Sequence, residues 1–377
     1  MSRKTLFVVC FLLIFCLVSI GRPTFAKGET PTWKVVFDPY QIGYSPNYYI
    51  WSAETFKSYL YTTVSFFETG AQVFRSADGE TWEEASQPGF GIDSKYVVSW
   101  DMIVYQGKLY VAVNDFGWND KPGMIIRSAD GLNWEPVLVG DADTLQGNLI
   151  DKFGVFNGMI YATAVWTTGQ IWRSPSGDPG TWELVKTPLG TSFWSSSSMT
   201  SFKSYLYFSG YDGVIGEPGT GRLWVWRSPD GVNWETVGED VLDDPANGID
   251  RSLAVYKDYL YLSTISYSDG GRIYRSRDGV NWELVIEKGF GNPNIAEITS
   301  LFTYQGDLYA TSNETDNATY ANAIIWRSHT GNPDDWTQVN PGGLGEWSWS
   351  ERCSQAIFKG DLYIANIWWN INKMERP

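Results

Sequence analysis

The chain has 377 residues, with 28 Lys or Arg against 43 Asp or Glu, for a net charge of −15. That surface repels nucleic acid and anionic membranes, so neither is an expected partner. A single histidine, His329, excludes multi-His metal sites and leaves one residue for any Ser-His or Cys-His nucleophile system.

In chain order, Ser2, Arg3 and Lys4 open a basic start, residues 6–20 are an apolar run, and Thr24-Phe25-Ala26 offers a small-residue cleavage site. Residues 1–26 are therefore expected to be a removable signal peptide, and the protein to be secreted, extracellular or periplasmic. No later stretch approaches the roughly 20 apolar residues of a membrane span. The leader carries three basic residues and no acidic one, so the remainder is near −18. Cys10 and Cys16 leave with it and lack a lipoprotein context. Cys353 then stands alone, so no intrachain disulfide can form and packing must supply stability.

Residues 27–377 repeat. Ser-x-Asp-Gly-x-x-Trp occurs at Ser76-Ala77-Asp78-Gly79-Glu80-Thr81-Trp82, and again from Ser128 to Trp134, Ser228 to Trp234 and Ser276 to Trp282. Two longer copies run from Ser174 to Trp182 and from Ser328 to Trp336, with Ser176 and Thr330 in the aspartate position. An arginine precedes each serine (Arg75, Arg127, Arg173, Arg227, Arg275, Arg327), and the serines are 46 to 54 residues apart. A tight turn followed by an apolar-Tyr pair recurs seven times: Leu60-Tyr61, Leu109-Tyr110, Ile160-Tyr161, Leu206-Tyr207, Leu260-Tyr261, Leu308-Tyr309 and Leu362-Tyr363.

Each unit reads as four short strands. In residues 252–286 they are Ser252–Tyr256, Tyr259–Ile265, Arg272–Arg275 and Trp282–Ile286, from alternation, β-branched and aromatic enrichment and Gly/Asp turns. Four-stranded units at this period predict a single all-β, seven-bladed propeller, here a monomer. Six boxes for seven units leave one blade short. Thr32-Trp33-Lys34-Val35-Val36 resembles the fourth strands and is expected to close the last blade beside residues 353–369, with only Asn370–Pro377 left for its third strand.

In the box, Ser hydroxyl and Asp carboxylate are suited to bond turn amides, Gly accepts positive φ, and Trp starts strand four as an apolar wedge. The motif resembles the Asp box, or BNR repeat, of sialidases and related secreted propellers. The resemblance implies that Ser76, Asp78, Trp82, Ser128, Asp130, Trp134, Ser228, Asp230, Trp234, Ser276, Asp278 and Trp282 are structural, on the face away from substrate. Sialidases are six-bladed and use three arginines, a Tyr-Glu pair and an acidic acid/base. Outside the boxes only Arg222, Arg251, Arg272, Arg352 and Arg376 follow the leader here, without that pattern.

A site is expected on the face of the long loops (135–150, 183–197, 209–222, 235–250, 311–323), at the mouth of the central channel. Alignment on Leu-Tyr puts the start of each strand one near Trp51, Trp100, Asp151, Ser197, Arg251, Thr299 and Cys353, with Asp101, Lys152, Asp250, Glu297, Glu351 and Arg352 beside them. Each blade offers a different residue there, as recognition requires and a structural repeat does not. Trp51, Trp100, Lys152, Arg251, Arg352 and Trp349 are the candidate ligand-binding residues; Trp194 and Trp347 have a similar placement, and such rings stack on sugar faces. Asp101, Asp151, Asp250, Glu297 and Glu351 are the candidate catalytic carboxyls of a glycosidase.

The expected function is glycan binding at the mouth, with a sialidase-like glycoside hydrolase and a protein-interaction scaffold as alternatives. No cofactor is expected. Asp141-x-Asp143 and Asp243-Asp244 offer carboxylates to calcium but match no EF-hand loop. Asn313-Glu-Thr and Asn317-Ala-Thr are glycosylation sequons placed in a surface loop, and His329 is read as an exposed turn residue.

Overall fold

The computed structural model describes residues 30–45, 48–115, 122–140, 149–165, 169–185, 195–196, 199–211, 221–242, 244, 247–248, 250–266, 268–314, 323–341, 344, 354–366 and 370–375. They form seven antiparallel sheets, each a blade, with strand order following the chain outward from the centre in all but the last, whose outer strand comes from the start of the chain. Blade 1 comprises Tyr48–Phe56, Tyr59–Phe66, Gln72–Ser76 and Trp82–Glu84; blade 5 comprises Asp250–Tyr256, Tyr259–Thr264, Ile273–Ser276 and Trp282–Ile286. In blade 4 strand one is split into Ser195–Ser196 and Thr200–Phe202, both paired with Tyr205–Tyr211. Among the described residues helix is confined to single turns at 39–42 and 239–242, the turns at 88–91 and 288–291 being left-handed at Gly89, Phe90, Gly289 and Phe290, and none is long and apolar enough to cross a membrane.

The last blade is completed by the start of the chain. Ser354–Phe358, Asp361–Ala365 and Ile371–Glu375 are its inner strands, and Thr32–Phe37 pairs antiparallel with Ile371–Glu375 from Thr32↔Glu375 to Phe37↔Ile371. Its third strand thus forms from the short C-terminal segment without a box. Phe37 carries the closure into the core, its ring 4.7 Å from that of Trp82 in blade 1. Lys34 pairs with Glu80 of the first box at 2.7 Å.

Every sheet is sandwiched between two neighbours, so strand two is buried on both faces. Leu60, Leu109, Ile160, Leu206, Leu260, Leu308 and Leu362 are fully buried, as are their tyrosine neighbours. The tyrosines do more than fill space. An added Cβ at the box glycine of the following blade would lie 1.9 Å from the Tyr61 hydroxyl at Gly131, and about as close at Gly177 (Tyr110), Gly231 (Tyr161), Gly279 (Tyr207), Gly331 (Tyr261) and Gly79 (Tyr363). The two repeated motifs are therefore halves of one inter-blade contact. The turn before each Leu-Tyr adds to it: Lys57 Nζ donates to Ala129 O, Lys257 Nζ to His329 O and Lys359 Nζ to Ala77 O, each at 2.7 Å and each onto the next box.

Candidate functional site

The box face is occupied by its own turns. In the copy at Ser128, the serine Oγ accepts Gly131 N at 2.7 Å, and Asp130 Oδ1 accepts Leu132 N and Asn133 N at 2.8 Å. These bonds hold the Asp130 carboxyl well below the usual carboxylate range. The geometry repeats at Ser76, Ser228 and Ser276. In the long copy at Ser328, Asp335 reaches back to Thr330 N at 2.7 Å and replaces the missing aspartate from the other end of the turn. The arginines before the boxes face glutamates across strands three and four: Arg75–Glu83 at 2.7 Å, Arg127–Glu135 at 2.8 Å, Arg227–Glu235 at 2.7 Å, with Arg173–Glu183 and Arg275–Glu283 at 2.5 Å. Arg327 faces Thr337 instead and is buried.

The opposite end of strand one is built differently. In blade 1, Ile50 pairs with Val64 and Ser52 with Thr63, so Trp51 is an extra residue without an opposite number. Asp151 and Lys152 together face Thr163 in blade 3, Arg251 is the extra residue in blade 5, and Thr299 in blade 6. In blade 2, three residues, Ser99 to Asp101, lie opposite Ala112 and Val113. Each is a β-bulge, which bends the strand and redirects its side chains. The bulges coincide with the positions at which the aligned units differ.

One residue on, the repeat has a structural duty. Ser252 Oγ accepts Leu301 N of the next blade at 3.1 Å, and Ser354 Oγ accepts Ala53 N at 3.0 Å. The aligned residues are Ser52, Asp101, Lys152, Ser198, Ser252, Ser300 and Ser354. Asp101 performs the same latch, its Oδ2 accepting Phe153 N at 2.9 Å, although a hydroxyl suffices elsewhere. Two positions further along, Glu54 stands where the other units have Ile103, Gly154, Thr200, Ala254, Phe302 and Ala356. Three adjacent blades thus carry ionisable groups that the repeat does not need.

These groups sense one another. Burial pushes the Glu54 carboxyl up to about 7; the Thr55 amide at 2.8 Å opposes this, and the charge of Asp101 adds to it. Burial raises the Asp101 carboxyl as well, opposed by Lys152 and the Phe153 amide and reinforced by Asp151. Asp151 is fully buried, while Lys152, Asp101 and Glu54 are half-buried. Aromatic rings stand at the mouth end of the same strands. Trp51 lies 6.2 Å from Trp100 and 5.7 Å from Tyr49, and Tyr49 meets Phe67 edge-on at 5.2 Å. Trp100 is buried, whereas Tyr49, Trp51 and Phe67 keep partly open surfaces. Glu54 was not among the residues singled out from the sequence; comparison of the aligned units at its position would have found it.

The remaining candidates are elsewhere. Glu297 is buried in blade 6 and accepts Asn313 Nδ2 at 2.8 Å. That bond corrects the reading of Asn313 as a surface sequon: it is fully buried at the end of strand two. Asp244 pairs with Arg272 at 2.9 Å, and Arg272 also holds Asp269 and Asn247. His329 is not freely exposed, its Nδ1 lying 2.8 Å from Asp307 Oδ1. Asp250 and Arg251 are placed by their backbone at the blade 5 bulge. Trp349, Glu351, Arg352 and Cys353 lie outside the described residues, as do Trp194, Ser197, Ser198, Asn317, Trp347, Asp141, Asp143 and Asp243.

No protein-family model and no curated protein sequence matches the chain. Among solved structures it resembles YCF48 bound to a D1 peptide at 13% identity, covering 93% of this chain and 96% of that one, with a TM-score of 0.59. The endosialidase of phage phi92 gives 13% identity over 92% of this chain and 68% of that one, TM-score 0.52. A PL25 ulvan lyase bound to -[GlcA(1-4)Rha3S]- gives 11% identity over 85% and 90%, TM-score 0.51. At these identities the likeness is one of fold, the β-propeller.

Proposed function

We propose that the chain binds a carbohydrate at the long-loop mouth of its channel, in the sector of blades 1 to 3. The observation that carries this reading is internal to the repeat. Where five units hold serine at the latch, adjacent blades hold Asp101 and Lys152, with Glu54 beside them and the rings of Trp51 and Trp100 at the same end of the strands. Half-buried indole offers an apolar face to a sugar ring, and carboxyl and ammonium groups offer acceptors and donors to its hydroxyls. Two similar folds, an endosialidase and a lyase bound to a glucuronate-rhamnose polymer, support the choice of ligand class. Residues 1–26 are read as an export signal, which would bring a single propeller domain to glycans outside the cytoplasm.

A glycan array probed with the full chain and with Trp51→Ala and Lys152→Ala tests the reading. Selective binding by the wild type, weakened about tenfold or more by each substitution, is expected. A blank array with folded wild type would remove it and favour a protein partner. A second reading, glycoside hydrolysis, is favoured by the juxtaposition of Glu54, which keeps its proton near neutrality, and Asp101. Reducing-end release from the bound glycan, abolished by Glu54→Gln while binding persists, separates hydrolysis from binding alone.

A further inference from the structure

Taking the mouth as the ligand site, we propose that Asn114 is its positioning residue: from blade 2 it holds the backbone of blade 3 so that Lys152, next to the buried Asp151, is presented at the mouth. Asn114 is fully buried just beyond strand two. Its Nδ2 donates to Ile150 O at 2.8 Å and its Oδ1 accepts Ile150 N at 2.8 Å. Ile150 is the last residue in register before the bulge. Strand one is the innermost of its sheet, so its free edge has no strand to pair with, and a primary amide supplies the donor and acceptor that a strand would. The backbone of Asn114 grips blade 2 at the same time. Its N donates to Val98 O at 2.7 Å, two residues before Trp100, and its O accepts Val98 N at 3.1 Å. One residue thus ties both halves of the site together.

Packing alone does not require it. The same repeat position holds Val165, Tyr211 and Ile265 in blades 3, 4 and 5. Asn313, the other asparagine, uses its Nδ2 within its own blade on Glu297. In blade 1, Ser65 and Thr63 make a weaker version of the grip, Ser65 Oγ accepting Ser99 N at 3.3 Å and Thr63 Oγ1 donating to Ser99 O at 3.1 Å, next to Trp100. These two grips, made from strand two or just beyond it onto strand one of the following blade, both lie in the sector that carries Glu54, Asp101, Asp151 and Lys152.

Asp101 reports on the grip because its carboxylate is bonded to Phe153 N and faces Lys152, both on the held segment. The other charged groups around it are Asp151 and Glu54. The test titrates the Asp101 carboxyl by 13C NMR in the full chain and in its Asn114→Val and Asn114→Ser variants, with the glycan array run on each. Release of the segment removes a donor and a cation from Asp101, so Asn114→Val is expected to move its midpoint upward by about 1 pH unit. Serine, which restores one of the two bonds, should give a smaller move. Asn114→Val should also weaken any glycan bound by the wild type about tenfold.

A folded Asn114→Val with unchanged midpoint and affinity overturns the proposal. If valine does not fold, an unchanged Asn114→Ser does so in its place. A blank array with wild type overturns the mouth reading and this role with it. Wild-type binding that Asn114→Val leaves intact overturns this role alone.

Discussion

Glu54 shows how a single side chain departs from the needs of its repeat. The unfolded chain releases its proton near 4.5, and the folded chain near 7. Between those values the folded state binds more protons, so its stability falls as pH rises from about 4.5 to about 7 and is level beyond. Glu54→Gln keeps the shape and removes the ionisation. It is expected to flatten that slope and to stabilise the protein at pH 8 by about 1–2 kcal/mol, less than the whole shift implies because the group is only half-buried. Thermal unfolding of both proteins from pH 4 to pH 8 checks this, and an unchanged slope would place the titration elsewhere. A residue that costs stability at neutral pH and whose position the other units fill with apolar, glycine or threonine side chains fits a binding or catalytic role.

At the scale of the element, the box and the Leu-Tyr pair stabilise the ring jointly. Gly131 has φ +84°, and the Tyr61 hydroxyl occupies the space of its missing side chain. Gly131→Ala is therefore expected to cost about 3 kcal/mol or more, from the backbone and from the displaced tyrosine. Tyr61→Phe should recover part of that loss in the double variant, because the hydroxyl is the nearest colliding atom. Additive losses in a denaturant-melt cycle would show that the two motifs act separately. Both motifs were legible in the sequence, as were their period and the four strands of each unit, because each recurs at fixed spacing with buried tyrosine, tryptophan and left-handed glycine. Their partnership was not, since it joins residues about 70 apart on different blades, and periodicity within a unit says nothing about contact between units. The divergent mouth positions were also legible, but not that they are bulges: register is set by pairing partners, and Trp51 or Thr299 reads like any other strand residue.

For the whole molecule, the ring depends on a strand contributed from its far end. Thr32–Phe37 covers the edge of Ile371–Glu375, which would otherwise present unpaired backbone to solvent. A chain beginning at residue 38 is expected to lose cooperative unfolding and to associate with itself. Calorimetry and size-exclusion chromatography would show this, and an unchanged single transition would mean that the other six blades hold the ring alone. The sequence made this closure readable because Trp33 repeats the start of the other fourth strands, whereas the third strand lacked any box to mark it.

That closure also sets an order of events in the making of the protein. Thr32 and Glu375 are 343 positions apart, so the first strand to be synthesised must wait for nearly the last before either finds its partner. Blades 1 to 6 can assemble as they emerge, each onto the one before, but the circle is joined only once Ile371–Glu375 is free to pair with Thr32–Phe37. A message cut short anywhere before the final strand yields an open arc with two bare edges. Ring closure therefore acts as a check that the strand Ile371–Glu375 has been made, one that chains stopped before it are expected to fail by aggregation or proteolysis.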